Sequence, residues 1–180
     1  MKKNMPLSIR TRTILMASLI AAGSLVGCGK TNLSDIEHIE RAKDFQDKGD
    51  LTASVIELKS ALQQSPDNVE ARWLLGEIYV KKGFGAEAEK ELIRARELGV
   101  EGESIKIPMG RALLMQGKFK RVLEEISPSA STSQRNKAAI LQMHGDAKLG
   151  LNQLEEGCQL YKDSLGVDPK HVPAYWGLAN

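Results

Sequence analysis

The chain repeats itself with a period of 34 residues, and that period constrains its fold more than any other feature. Counting by 34 from Gly76 reaches Ala42 in one direction and Gly110 in the other; one inserted residue then brings Gly145, and Ala179 follows. A second column holds Gly49, Gly83, Gly117 and Asn152, and a third holds Leu51, Gly85, Phe119 and Leu154. Pro66 and Pro169 close the first and fourth copies. Apolar residues recur at helical spacing, as Leu75, Ile78 and Tyr79 in one stretch and Ala88, Leu92 and Ala95 in the next. A small residue in the first column lets neighbouring helices approach closely. The second column falls where a helix must end in left-handed backbone. Each copy is then a helical hairpin with too little apolar surface to stand alone, stable only when stacked on its neighbours. The expected fold class is all-α, a superhelical solenoid of antiparallel helix pairs.

The pattern resembles the tetratricopeptide repeat (TPR). Small residues hold repeat position 8, large ones position 11 (Phe45, Tyr79, Leu113), small ones positions 20 and 27, and proline position 32. The copies run over 35–68, 69–102, 103–137 and 138–171, with a partial copy at 172–180, so the solenoid covers 35–180. The third copy departs from the pattern. Proline inside a helix costs roughly 3 kcal/mol, so the helix is expected to begin near Pro108, with proline in its first turn. The second helix of that copy, from about 118 to 126, is short and runs into the polar, proline-broken stretch 127–133. This reads as a loosened joint between the second and fourth copies, or as an ordinary surface loop. Ser133 is placed to cap the next helix. At the other end, the stretch with Tyr175, Trp176 and Leu178 stops inside a first helix, without the polar capping helix expected of a solenoid. The expectation is the front part of a longer protein, with a natural short form as the alternative.

Residues 1–27 are of another kind. They carry Lys2, Lys3, Arg10 and Arg12, no acidic residue, and an apolar run over 14–26. This is the architecture of a secretory signal, with an apolar part too short to make a good membrane span. Thr11 separates the arginines, so the general export route is expected rather than the twin-arginine one. Removing these four cations from the 25 basic residues leaves 21 against 23 acidic ones, so the whole-chain net charge of +2 reports a segment that is cut away. No basic face remains to release counterions from a phosphate backbone, and no nucleic-acid partner is expected.

Leu25-Val26-Gly27-Cys28 resembles a bacterial lipobox, which implies that the Cys28 thiol accepts a lipid and that 28–34 is a lipidated tether. The alternative for Cys28 is a disulfide with Cys158. The multiple acyl chains of the lipoprotein resemblance would anchor the chain stably, where one chain would not. Gly29, standing where an aspartate would favour retention at the inner membrane, points by the same resemblance to the periplasmic face of the outer membrane. Cys158 itself is expected to be a half-buried structural thiol.

Catalytic chemistry is not legible. His38, His144 and His171 lie in separate copies, with no metal-binding spacing among them and no zinc-like cysteine pair. His38 and His171 are expected at exposed helix starts and turns, and His144 packed against a neighbouring helix. There is no phosphate-cradling glycine loop and no nucleophile elbow. The chain is expected to be no enzyme and to need neither cofactor nor metal.

What remains is recognition. The TPR resemblance implies that the first helix of each pair lines a concave groove through positions 2, 5, 9, 12 and 13. The candidate partner-binding residues are Glu70, Trp73, Glu77, Lys81, Arg111, Gln142, Asp146 and Trp176. Trp73 and Trp176 stand at position 5, one residue beyond the usual packing tryptophan of the motif, and one residue turns a helix by about 100°. Each indole either faces the groove as an anchor or folds against the adjacent copy. The lysine and asparagine set of the TPR carboxylate clamp is not present, so recognition of a chaperone C-terminus is not expected.

The lipobox, followed by 53–63 (ASVIELKSALQ) and 71–79 (ARWLLGEIY), resembles the large TPR lipoproteins that accompany exosortase and PEP-CTERM sorting. That resemblance implies a membrane-anchored scaffold in exopolysaccharide assembly or export, or in protein sorting. Its groove would hold a protein, a peptide or a polysaccharide. Two alternatives stand beside it: a pilotin-type lipoprotein serving a type IV pilus secretin, and the TPR front end of a longer enzyme.

Overall fold

The computed structural model describes residues 33–179; the expected signal segment and Cys28 lie outside the described residues. Among the described residues the regular structure is helical: α1 (Asp35–Asp47), α2 (Leu51–Gln64), α3 (Val69–Lys81), α4 (Gly85–Glu97), α5 (Glu103–Met115), α6 (Phe119–Glu125), α7 (Gln134–Gly150), α8 (Leu154–Val167) and α9 (Val172–Ala179). Successive helices pair as hairpins, and each hairpin packs on the next, which is the all-α solenoid expected from the period.

The hairpin turns follow directly from the second column of the repeat. Gly49, Gly83 and Gly117 have φ of 78°, 78° and 66°, and Asn152, the residue at the equivalent turn of the fourth copy, has φ 62°. Left-handed backbone here frees the preceding helix to stop and reverse, and Asn is the non-glycine residue that tolerates it best. Starts are marked as well. Ser34 and Glu37 form a reciprocal capping box on α1, Asp50 accepts from the Ala53 N–H, Asn68 from Ala71, and Ser133 from Asn136.

The small first column sets helix separation. A Cβ at Gly76 would lie 2.7 Å from Leu92 Cγ, and one at Gly145 2.6 Å from Tyr161 Cε1, so in both copies the second helix seats directly on the glycine. At Gly110 the nearest atom is Met143 Sδ, at 2.7 Å, from the following copy. Leu58, Leu92, Ile126 and Tyr161 occupy the same repeat position and are all nearly fully buried. One apolar core runs through the stack from Ile39 to Ala147, and Tyr161 extends it toward α9 at Gly177.

Half-buried polar pairs cross the same seams. His38 Nδ1 lies 2.5 Å from Glu57 Oε2, and Arg72 pairs with Glu91; the two pairs sit at the same repeat positions in successive copies. The expectation of an exposed His38 is therefore corrected: it fills the slot where the motif usually has a packing tryptophan, and a buried carboxylate holds it. Glu89 on α4 gathers Lys118, Arg121 and the Gln116 amide from the next copy. Burial pushes its carboxyl up, but these three donors outweigh that and hold it at about 2.

The third copy departs from expectation at Pro108, and of the two readings of 127–133 it fits the surface loop. Pro108 does not begin a helix; it lies inside α5, five residues after the first. The carbonyl it fails to serve is that of Ser104, and the Trp73 indole N–H donates to that oxygen at 2.9 Å. A side chain from the second copy thus supplies the donor that proline lacks. Nor is the joint loose. Although α6 has only seven residues, Ile126 beyond its end is buried, and its carbonyl accepts from His144 Nε2 at 2.5 Å. Lys106 donates to the Ser127 carbonyl, while Glu103 accepts from the Ser133 N–H and the Asn136 amide. These ties carry the core across the short helix. Capping by Ser133 also lets α7 begin four residues before the fourth copy does.

Candidate functional site

The first helices of the hairpins, α3, α5 and α7, line two adjoining hollows. One, about 340 Å³, is walled by Trp73, Glu77, Val80 and Lys81 from α3, residues 103, 104, 107, 108 and 111 of α5, and Asn136. The other, about 750 Å³, lies between Ile107 and Arg111 of α5, the start of α7 and the turn into α9, including Asp168, Lys170 and His171. Ile107, Arg111 and Asn136 line both, so the hollows form one groove along three copies. Helical spacing explains its composition. Positions 5, 9 and 13 of α3, Trp73, Glu77 and Lys81, lie about one turn apart on one face, as do Ile107 and Arg111 on α5.

Four of the eight candidate residues meet there: Trp73, Glu77, Lys81 and Arg111. Trp73 resolves its two readings by doing both. The ring is half-buried and packs against the core while one edge walls the groove, and its N–H is committed to Ser104. Glu77 is half-buried; burial raises its carboxyl pKa, opposed by the nearby charges of Lys81 and Arg111.

The other four serve elsewhere. Glu70 pairs with Lys43 across the α1–α3 seam, at 2.9 Å. Gln142 donates to Asp146, and Asp146 accepts from the Tyr161 hydroxyl at 2.7 Å, so these two orient a core tyrosine. Burial raises the Asp146 carboxyl pKa against the effect of those hydrogen bonds. Trp176, on α9, is 67% exposed beside Tyr175 and Val172, at the end of the stack. Cys158 is half-buried, as expected.

Asn136, Arg135, Lys170 and His171 line the groove without standing at the motif positions used to find candidates. Arg135 and Asn136 come from the extra turn of α7 upstream of the fourth copy, which only the cap at Ser133 would have signalled. Lys170 and His171 come from the turn after Pro169. His171, expected to be exposed, is half-buried, and its Nε2 is enclosed without a hydrogen-bond partner. Burial lowers its pKa; Asp168 opposes this, while Arg111 and Arg135 reinforce it.

Comparison with known proteins bears on the fold. A family profile for the TPR repeat matches residues 42–83. The fold resembles MamA from residue 41 to its end, from Desulfovibrio magneticus RS-1, with a TM-score of 0.65 and 16% identity over 80% of this chain and 81% of that one. It also resembles PilF of Pseudomonas aeruginosa, with a TM-score of 0.62 and 16% identity over 81% of this chain and 66% of that one. A further MamA structure gives a TM-score of 0.60 at 17% identity, over 76% of this chain and 80% of that one. Similarity at this level establishes the fold, a TPR superhelical solenoid. Among curated protein sequences there is no significant match.

Proposed function

We propose that this chain is an envelope-anchored scaffold that holds an extended segment of a protein partner in the groove along α3, α5 and α7. The observation that carries the reading is the merging of the two hollows through Ile107, Arg111 and Asn136 into one channel crossing three copies. A continuous channel with an apolar wall and scattered charges suits a peptide in extended conformation, whose side chains alternate between wall and solvent. The lipobox at Cys28 supplies the anchor, and 28–34 tethers the solenoid to it.

The finer assignment, to exopolysaccharide assembly and export or to PEP-CTERM protein sorting, rests on the sequence resemblance. A pilotin role is the alternative. A photoreactive amino acid at Lys81, an exposed groove position, tests both levels in cells producing the full chain. A protein adduct from position 81, and none from a control at Lys59 on α2, is the expected outcome. Equal labelling from both positions, or none from position 81, refutes groove binding. An adduct with a polysaccharide-export or sorting component supports the first assignment, and one with a secretin subunit replaces it with the second.

A further inference from the structure

We infer that the end of the groove between α5, α7 and the α8–α9 turn recognises side-chain carboxylates, so that the segment it accepts is acidic. This deepens the groove reading above and rests on it. Three cationic side chains from three different elements converge on the larger hollow: Arg111 of α5, Arg135 of the first turn of α7, and Lys170 of the turn. Among the described residues none of the three has a carboxylate within ion-pair distance, whereas Arg72, Arg94, Lys118 and Arg121 are each paired. Of the acidic groups nearby, Glu77 lies near Arg111 on the α3 wall of the adjoining hollow, and two others are held within the fold. Asp168 accepts from the Lys170 backbone N–H at 3.0 Å, and Glu103 is held by Asn136 and the Ser133 N–H. The first turns of α7 and α9 both border the hollow, and helix N-termini add partial positive charge there.

The repeat supplies an independent argument. Asn68 donates to Asp35 at 3.1 Å, and Asn136 donates to Glu103; in both cases the residue 33 positions after a copy's first residue binds an acidic side chain at that first position. In the fourth copy the corresponding residues are His171 and Ala138. Alanine offers no acceptor, and the His171 Nε2 is buried with no hydrogen-bond partner among the described residues. The carboxylate that the first and third copies build in is absent from the fourth, as it is from the second (Val69 and Gly102), and in the fourth His171 borders the larger hollow beside three cations without an ion-pair partner among the described residues. A ligand carboxylate completes the set through charge-assisted hydrogen bonds. The adjoining stretch, with Trp73, Val80 and Ile107, takes aliphatic side chains flanking the acidic ones. That mixture belongs to a peptide rather than to a polyuronate.

The test uses the full chain and fluorescent dodecapeptides of glutamate, leucine and serine, with glutamine replacing glutamate in the comparison peptide. Both peptides are acetylated and amidated, so that a terminal carboxylate cannot contribute. The glutamate peptide is expected to bind about tenfold tighter or more, with a preference that falls as ionic strength rises. The double substitution Arg111→Gln with Arg135→Gln should remove most of that preference, and Lys59→Gln should leave it intact. Equal binding of the two peptides to the wild-type chain overturns the inference without recourse to any variant. So does a preference that survives the double substitution, or tighter binding of hexagalacturonate than of the glutamate peptide. The outcome is separable from the groove reading. A cross-linked partner from position 81 with no glutamate preference removes only the acidic assignment, and glutamate preference without any cross-linked protein removes the scaffold reading.

Discussion

The hydrogen bond from Trp73 to the Ser104 carbonyl makes the fit of the second copy to the third depend on two residues far apart in sequence, and a double-mutant cycle isolates it. The perturbations are Trp73→Phe and Pro108→Ala, singly and together. In the native chain Ser104 has no helical donor, because residue 108 is proline, and the indole N–H takes that place at 2.9 Å. Ser104 is exposed, so water can reach its carbonyl once the indole is gone. The hydrogen bond is then worth about 1 kcal/mol net, not the several kcal/mol of a fully buried one. The phenyl ring also loses part of the packing against the core, roughly another 1 kcal/mol. Trp73→Phe alone should therefore cost about 2 kcal/mol, being the sum of the bond and the packing. Pro108→Ala restores a backbone N–H aimed at the same carbonyl. In that background the bond contribution should largely vanish and Trp73→Phe should cost about 1 kcal/mol, the packing part only. Urea unfolding followed by far-ultraviolet circular dichroism measures all four chains without relying on tryptophan emission. Additivity within about 0.3–0.5 kcal/mol would show that the two residues are energetically independent and that the indole does not replace the missing donor.

Replacing Glu89 with glutamine should destabilise the chain by about 1.5–3 kcal/mol, because three donors lose a charged acceptor. The carboxyl is held below its usual value, so its contribution is complete above about pH 4.5 and disappears as pH falls toward 2. The wild-type unfolding midpoint should drop more steeply over that window than the variant's, and parallel curves would refute the assignment. Gly145→Ala places a methyl 2.6 Å from a tyrosine ring whose hydroxyl is fixed by Asp146, and should cost about 1–3 kcal/mol in the same assay. An unchanged midpoint would mean that α8 shifts freely. Cys28→Ser should move the protein from the membrane fraction to the soluble one, and a variant that stays with the membrane would require a different anchor.

The stack was readable in advance because each of its requirements is local. A hairpin turn needs left-handed backbone, and three glycines and an asparagine mark four of them. Close helix packing needs a missing side chain, and Gly76 and Gly145 supply it. A capping residue, Ser133, announces α7. The groove was half legible for the same reason: Trp73, Glu77, Lys81 and Arg111 stand at fixed repeat positions on first helices, and the repeat alone puts them on one wall. The signals failed where the repeat itself is irregular, and where side chains choose partners across a hairpin. Arg135 and Asn136 reach the groove through a helical turn that precedes the fourth copy. His38 and Glu57 pair across a seam, and composition by itself cannot say that a histidine and a glutamate are each other's partners.

The amino-acid sequence by itself determined the period, the hairpins, the turns and the wall on which the groove lies, since all follow from backbone preference and the spacing of small and apolar residues. Only the tertiary structure decided how Pro108 is tolerated, which candidates are spent on packing, and where cations are left unpaired. Those outcomes depend on contacts between copies, about 30 residues apart in the chain. There a carbonyl freed in one helix is satisfied by a ring from another, and a carboxylate present in the first and third copies gives way to valine in the second and alanine in the fourth.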